Sequence, residues 1–284
     1  MRAPAKINLT LHIRGRRDDG LHELESLVAF AGFGDQLDFT PADRFALNMS
    51  GPTAELAGVE DDNLVMRAAR ALEALVPQLR TGLFHLVKRL PVAAGIGGGS
   101  ADAAAALRLL ALENGLAPDD PRLMQAARQV GADVPVCLDP RAKMMRGTGE
   151  ILGAPLRLPP LFAVLVNPGV ALPTKDVFAQ IGLKKGEDYG FGTHADCAGL
   201  DFAALIHVLK KSRNDMEDAA CVLAPVVGHV LNVLMAARGC RLARMSGSGA
   251  TCFGLFETCR QAAGAAKIIR RDHPEWWVKA SVLR

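Results

Sequence analysis

A glycine-rich segment carries the clearest chemical signal in this chain. Residues 91–103, PVAAGIGGGSADA, place four glycines and a serine between a predicted strand and a predicted helix. Glycine lets the backbone approach a ligand closely, and the exposed amides at a helix N-terminus bind anionic oxygens. The segment therefore predicts a phosphate-binding loop. Its predicted ligand-lining residues are Pro91, Val92, Ala93, Ala94, Gly95, Ile96, Gly97, Gly98, Gly99, Ser100 and Ala101.

Two familiar phosphate-binding motifs do not fit this loop. No lysine precedes Ser100, as the Gly-x-x-x-x-Gly-Lys-Ser/Thr loop requires. Ser100 also occupies the position where a dinucleotide-binding fingerprint has its third glycine. The remaining alternative is a flexible glycine hinge before a helix, and the loop by itself leaves that alternative open.

The elements that would position this chemistry are strands and helices in irregular order. Alternating apolar residues predict a strand over residues 5–13, with Lys6 and Asn8 on one polar face. The mixture predicts an α+β fold, and the proline-rich stretch 155–160 suggests domains of residues 1–156 and 157–284. Further strands are predicted at 24–30, 36–39, 84–90, 162–166 and 252–256, and helices at 64–75, 100–112, 121–130, 202–211, 216–237 and 260–271.

Composition narrows the class of protein. The net charge of +3 and the pI near 8.6 are less basic than is usual for a dedicated nucleic-acid-binding protein, so no nucleic-acid partner is expected. Six cysteines without a Cys-x-x-Cys pair indicate reduced thiols, and the chain shows no signal-peptide pattern. We therefore expect a cytoplasmic enzyme, and no obligate protein partner is evident.

One uncharged stretch, residues 219–237, is long enough to span a bilayer. It contains Pro225, Gly228, His229 and Asn232, which fit a buried helix or helix pair better than a membrane span. We therefore expect no membrane association.

Residues 91–103 closely resemble the second motif of the superfamily of galactokinase, homoserine kinase, mevalonate kinase and phosphomevalonate kinase, the GHMP kinases. Three more segments resemble the same superfamily in the expected order: APAKINL at 3–9, GADVP at 131–135 and SGSGAT at 246–251. The resemblance implies a two-lobed GHMP kinase fold. Its N-terminal domain would be ribosomal-protein-S5-like with a left-handed βαβ unit and bind nucleotide, and its C-terminal domain would be ferredoxin-like and bind substrate.

A finer resemblance is to the branch that phosphorylates a cytidine diphosphate derivative of methylerythritol. It rests on PAKINL at 4–9, DGLH at 19–22, NPGVALPT at 167–174 followed by Phe178, and RNDME at 213–217. The resemblance implies transfer of the ATP γ-phosphate to the 2-hydroxyl of this substrate, in the non-mevalonate route to isoprenoid precursors. Mg²⁺ is expected to bridge the β- and γ-phosphates, and Ser100 is the one protein ligand suggested for it.

The resemblance also implies catalytic roles for Asp133 and Lys6. Phosphoryl transfer needs an aligned hydroxyl, a proton acceptor and neutralised charge. Asp133 would be the base, and Lys6 would keep it ionised and attract the phosphoryl group, because a nearby cation favours a carboxylate's charged form. Without the resemblance, an aspartate after a helix, such as Asp133, is usually a turn or cap residue, and a lysine early on a strand, such as Lys6, is usually solvated.

The remaining site residues are carried over in the same way. Asn63 and Lys88 would contact the adenine side, although Asn63 also suits an N-cap. The loop at 246–249 would bind phosphate oxygens through its amides. The predicted substrate-binding residues are Asn8, His22, Thr174, Phe178, Ser246 and Gly247.

The chain departs from this branch at Leu21, where the family often has a tyrosine that sandwiches the cytosine against the aromatic ring at Phe178. Losing that ring removes π-stacking worth ~1 kcal/mol or somewhat more. Two other functions remain open at this stage: a sister kinase acting on another small alcohol, and a catalytically silent GHMP-fold sensor. The retention of both Lys6 and Asp133 favours an active enzyme.

Overall fold

The computed structural model describes residues 1–57, 62–189 and 197–284. The chain forms two units whose segments alternate along the sequence. The first unit comprises residues 1–6, 33–92 and 97–140, and the second comprises residues 7–32, 93–96 and 141–284. The predicted boundary after residue 156 stays a prediction.

Strands and helices are mixed along the described chain, which confirms the predicted α+β class. The strands are β1 Arg2–Asn8, β2 His12–Arg16, β3 His22–Pro41, β4 Ala46–Ser50, β5 Gly82–Val87, β6 Lys143–Gly147, β7 Ile151–Leu152, β8 Leu161–Asn167, β9 Glu187–Asp188, β10 Cys240–Met245, β11 Cys252–Phe256 and β12 Trp277–Leu283. The α-helices are α1 Leu64–Glu73, α2 Gly98–Glu113, α3 Pro121–Val130, α4 Val134–Leu138, α5 Thr174–Ile181, α6 Phe202–Lys211, α7 Glu217–Leu223, α8 Pro225–Ala236 and α9 Cys259–Asp272.

In the first unit, helices α1 to α4 pack against one another around α2. The alanines of α2 allow this close packing, since residues 103–106 are all alanine and fully buried. The end of β3 pairs antiparallel with β5, and β4 pairs parallel with β5. Phe84 on β5 and Leu72 on α1 are fully buried members of this core.

In the second unit, four strands form an antiparallel sheet in the order β10, β11, β8, β12. The first part of β3 pairs antiparallel with β2 and β6, and meets β12 at Ala31 and Leu283. Helices α8 and α9 contact strands of this sheet. The antiparallel sheet with its helices agrees with the ferredoxin-like architecture that the sequence resemblance implied.

Two strand predictions were wrong in extent. The strand predicted over residues 5–13 is divided, since β1 ends at Asn8 and β2 begins at His12. The two strands predicted at 24–30 and 36–39 are one continuous strand, β3. The break between them was predicted at Gly34, because glycine is common in turns, but a Cβ there would be 2.0 Å from the Ala3 carbonyl oxygen. Its glycine serves close backbone approach and not a turn.

The helix predicted over residues 216–237 is two helices, α7 and α8. Pro225 lies at the first position of α8, where its missing N–H costs no hydrogen bond and where it cannot continue the preceding helix. Among the described residues, no helix has the length and apolar character needed to cross a membrane.

Candidate active site

Lys6 and Asp133 form an ion pair within the first unit. Lys6 Nζ lies 2.8 Å from Asp133 Oδ2, and the lysine side chain is buried whereas the carboxyl is 38% exposed. Asp133 occupies the N-cap position of α4 but its side chain makes no capping hydrogen bond. The carboxylate is therefore directed to the lysine instead of the helix, which argues against the plain capping role that the sequence left open.

Arg108 ties together the two elements that carry this pair, and the sequence reasoning did not find it. Its guanidinium donates to the Arg2 carbonyl on β1 at 3.0 Å and to the Cys137 carbonyl on α4 at 3.2 Å. Burial lowers the pKa of Arg108, and the nearby Cys137 and Asp139 oppose that shift. A single cation inside α2 thus holds the strand of Lys6 and the helix of Asp133.

The end of the glycine loop in the first unit forms the N-terminus of α2, which begins at Gly98. Gly97 is the N-cap residue with φ +61°, and a Cβ there would lie 3.2 Å from Lys6 Cβ. Positive φ and this close approach both require glycine. The free amides of the first turn of α2 therefore lie beside the lysine, as an anion-binding helix terminus would require.

Lys88 is buried between two carboxylates. Its ammonium donates to Asp35 Oδ2 at 2.5 Å and to Asp102 Oδ2 at 2.7 Å. Burial raises the pKa of Asp102 to about 7, with Lys88 opposing the shift and Asp35 adding to it. Burial lowers the pKa of Lys88, but the two carboxylates raise it by more. Asn63 caps α1, since its Oδ1 accepts from Val65 N at 3.0 Å.

In the second unit, residues 93–96 of the glycine loop pack against the loop at 246–249. Ser246 Oγ donates to the Gly95 carbonyl at 3.0 Å, and Thr251 N donates to the Ala94 carbonyl at 3.2 Å. A Cβ on Gly95 would lie 2.4 Å from the Ser246 carbonyl oxygen. The two glycine-containing loops that the sequence singled out are therefore joined through hydrogen bonds of the second unit.

The predicted substrate residues Asn8, Thr174, Ser246 and Gly247 lie around this loop. Asn8 N donates to Ser246 Oγ at 3.1 Å, and Thr174 Oγ1 lies 2.8 Å from Ser248 Oγ. Asn8 Nδ2 is bound to a serine hydroxyl, but its buried Oδ1 has no hydrogen-bond partner among the described residues. An orphaned buried carbonyl oxygen is unusual in proteins and suits a ligand donor.

His22 and Phe178 stack face to face, with ring centroids 3.9 Å apart and planes 9° from parallel. Burial, and then the charge of Arg16, lower the pKa of His22, so its ring is neutral at pH 7. Its Nε2 is buried without a partner in the described part of the chain. Leu21 beside it is 53% exposed. The stack leaves no room for a third ring between the two, and Phe178 is partly buried against the hydrophobic core of the second unit.

The RNDME segment at 213–217 anchors the second glycine loop. Asn214 Nδ2 donates to the carbonyls of Met245 and Gly247 at 2.9 and 2.8 Å. Glu217 Oε2 accepts from Met245 N at 2.7 Å. The sequence reasoning noted this segment as a family feature without a role, and no signal in the sequence links it to a loop some thirty residues away.

No cluster of three or more metal-ligating His, Cys, Asp or Glu side chains was found in residues 1–57, 62–189 and 197–284. Ser100 lies in the first turn of α2, beside the predicted phosphate positions. A hydroxyl and phosphate oxygens are hard donors of the kind that Mg²⁺ prefers, and this ion usually keeps several waters. The residues present therefore fit a Mg²⁺ ion that is coordinated mainly by phosphate oxygens and water.

Comparisons with known proteins agree with this geometry. The model described as GHMP kinases N terminal domain matches residues 63–139, and the one described as GHMP kinases C terminal matches residues 199–275. A 4-diphosphocytidyl-2-C-methyl-D-erythritol kinase of Methylobacterium radiotolerans is 59% identical, covering 100% of this chain and 98% of its own. One of Xanthobacter autotrophicus is 57% identical with the same coverage.

Solved structures extend the comparison. A crystal structure of 4-(cytidine 5'-diphospho)-2C-methyl-D-erythritol kinase has a TM-score of 0.79 at 35% identity, covering 100% of this chain and 98% of that one. A crystal structure of L. major mevalonate kinase in complex with R-mevalonate has a TM-score of 0.67 at 13% identity, covering 100% of this chain and 96% of that one, which shows a shared fold alone. The matches confirm the family resemblance, and the chain belongs to the GHMP kinases and, within them, to the 4-diphosphocytidyl-2-C-methyl-D-erythritol kinase family.

Proposed function

We propose that this chain transfers the γ-phosphate of ATP to the 2-hydroxyl of 4-diphosphocytidyl-2-C-methyl-D-erythritol, in the non-mevalonate route to isoprenoid precursors. The observation that carries the proposal is the ion pair of Lys6 and Asp133 at 2.8 Å, next to a glycine-rich helix N-terminus. The substrate follows from relatives that are 57 and 59% identical over the whole chain.

In this proposal Asp133 accepts the proton of the attacking hydroxyl. A base must lie within hydrogen-bond reach of the proton that it removes, and the part-exposed carboxyl of Asp133 is open to a ligand. Lys6 keeps the carboxylate oriented through its hydrogen bond and adds positive charge for the transferring phosphoryl group. The pair thus supplies the proton acceptor and the cation that the reaction needs.

The nucleotide is held by the segment from Pro91 to Ala101, with Asn63 toward the base. The amides at the start of α2 are unsatisfied within the helix and their dipole favours anions, so they suit phosphate oxygens. Magnesium, when bound, would neutralise the β- and γ-phosphates, and Ser100 is the residue of this chain that we assign to hold it.

The cytidine end of the substrate is assigned to His22 and Phe178. Neutral His22 has a buried Nε2 that lacks a partner in the described part of the chain and can hydrogen-bond the base, and Phe178 is assigned to contact the cytosine ring. Asn8, with its orphaned Oδ1, and Thr174 are assigned to polar groups of the substrate. The Ser246 amide already donates to the Thr251 carbonyl at 2.9 Å, so we assign the diphosphate of the substrate to the Gly247 amide.

The experiment is ADP release by purified protein with ATP and magnesium, comparing the cytidyl substrate with homoserine and mevalonate. Turnover with the cytidyl substrate alone is the expected result. Turnover with another alcohol instead would move the protein to a sister branch. No turnover with any of them, while ATP still binds, would favour a silent GHMP-fold sensor and refute the proposal.

A further inference from the structure

A buried group of charges lies under the phosphate-binding segment and has no part in the mechanism above. Lys88, Asp35 and Asp102 have side chains at most 5% exposed, and the lysine ammonium bridges the two carboxylates. They come from the residue after β5, from β3 and from α2. Three elements of the first unit thus converge on a single ammonium.

This cluster fixes the backbone where the loop begins. The second oxygen of Asp35, Oδ1, accepts from Arg89 N at 2.5 Å and from Leu90 N at 2.8 Å, directly before Pro91. Lys88 N also donates to the Ser50 carbonyl at 2.7 Å. The chain therefore enters the loop with its amides already held by a carboxylate.

The same cluster reaches the place where the loop ends. Asp102 lies in the second turn of α2, and a Cβ on Gly98 at the start of that helix would be 3.7 Å from Lys88 Nζ. The helix that presents amides to phosphate is therefore tied to Lys88 through Asp102. A shift of Asp102 would move the first turn of α2 along with it.

The charge balance keeps Lys88 turned inward. A buried ammonium pays a large desolvation cost unless it is paired, and here it faces two carboxylates at hydrogen-bond distance. Oδ1 of Asp102 is buried without a partner in the described part of the chain, so this carboxylate depends on Lys88. Turning Lys88 toward a ligand would leave both acids buried without their cation.

Building on the proposed kinase function, we propose that Lys88 is a positioning residue. With Asp35 and Asp102 it holds the two ends of the phosphate-binding segment, and its side chain makes no contact with adenine. Lys88 thus acts on the nucleotide through the phosphates, so its contribution is the same for any ligand with a polyphosphate chain.

The experiment measures binding of ADP and of inorganic tripolyphosphate, which has no base, by calorimetry with magnesium. Asp102→Leu removes one of the two carboxylates that hold Lys88 and the link from Lys88 to α2, and it should weaken both ligands by the same factor, about tenfold or more, since a site tolerates only small misplacements. Asp102→Asn keeps an oxygen acceptor and should stay within about twofold of wild type. Lys88→Met, made together with Asp102→Asn to avoid stranding two acids, should again weaken both ligands equally.

Glu113→Leu is the matched control, because it removes an acid at the other end of the same helix, about 16 Å along its axis. Thermal unfolding of each variant shows that the binding experiment uses folded protein. A loss confined to ADP would assign Lys88 to adenine and overturn the inference. Asp102→Leu binding like Glu113→Leu would also overturn it. If the wild-type protein binds neither ligand, both the proposed function and this inference are refuted.

Discussion

Replacing Asp133 by alanine removes the carboxylate that Lys6 Nζ binds at 2.8 Å. Loss of a positioned general base lowers kcat by about two orders of magnitude or more. A hundredfold loss corresponds to about 2.7 kcal/mol in activation free energy. We expect this loss in a protein that still folds and still binds nucleotide, because the helix amides and Lys88 cluster are untouched.

The stability cost of the same change is smaller. Two charges 2.8 Å apart attract by about 1.5 kcal/mol at the dielectric constant of water and by about 6 kcal/mol at an effective value of 20. Because the Asp133 carboxyl is 38% exposed, solvent screening places the net value near the lower figure. We therefore expect Asp133→Ala to lower the free energy of unfolding by about 1 to 2 kcal/mol.

The assay combines steady-state ADP release at saturating ATP with thermal unfolding and nucleotide titration. Asp133→Asn keeps an oxygen that can accept from Lys6, so it should retain stability and still lose kcat. Asp120→Ala is the matched control, because Asp120 is also an N-cap aspartate paired with a cation, Arg122. It should lose some stability and keep its kcat. An Asp133→Asn enzyme with near-normal kcat would refute the assignment of the base.

Leu21→Tyr should lower the KM for the cytidyl substrate with little change in kcat, because a second aromatic ring would then join Phe178 at the cytosine. An unchanged KM in steady-state kinetics would mean that residue 21 does not face the cytosine. Gly97→Ala should lower the free energy of unfolding by about 1 kcal/mol, measured by denaturation, because alanine is strained at the φ of +61°. The same change should weaken ATP binding, measured by titration, because the new Cβ would press against Lys6. Burial raises the pKa of Glu217 in the folded protein above the ordinary value of 4.5. The stability of the wild-type protein therefore falls as the pH rises from 4.5 through the folded-state pKa of this carboxyl. Glu217→Gln should therefore gain melting temperature relative to wild type at pH 7 and not below pH 4.5, and an equal change at both pH values would contradict this reasoning.

Local patterns account for the elements that the sequence predicted well. Helix α3 begins at a proline and ends before Gly131, and α2 begins within the glycine run, since caps and breakers are encoded next to the helices that they bound. Strand β3 was misjudged because Gly34 looks the same in a turn and in a close backbone contact. The contact partner, Ala3, is thirty-one residues away, so no local pattern distinguishes the two cases.

The candidate site also has one part that local sequence patterns predict and one part that they do not. Lys6 and Asp133 could be proposed from the resemblance, and each of them has a local motif around it. The inward direction of Lys88 could not be predicted, because it depends on Asp35, fifty-three residues earlier in the chain. A lysine before a glycine loop looks like a ligand for nucleotide until the two acids that enclose it are known.

The motifs assigned to the substrate are held by hydrogen bonds between the Ser246 side chain and backbone groups of distant segments. Asn8 N donates to Ser246 Oγ across 238 residues, and Ser246 Oγ in turn donates to the Gly95 carbonyl. One hydroxyl therefore joins three of the four segments that resemble the GHMP kinases. Replacing Ser246 by alanine would leave the Asn8 amide without that acceptor in a buried place, a cost of about 1 to 3 kcal/mol. Residues in these segments therefore hold one loop against another, and not every one of them needs to contact a ligand.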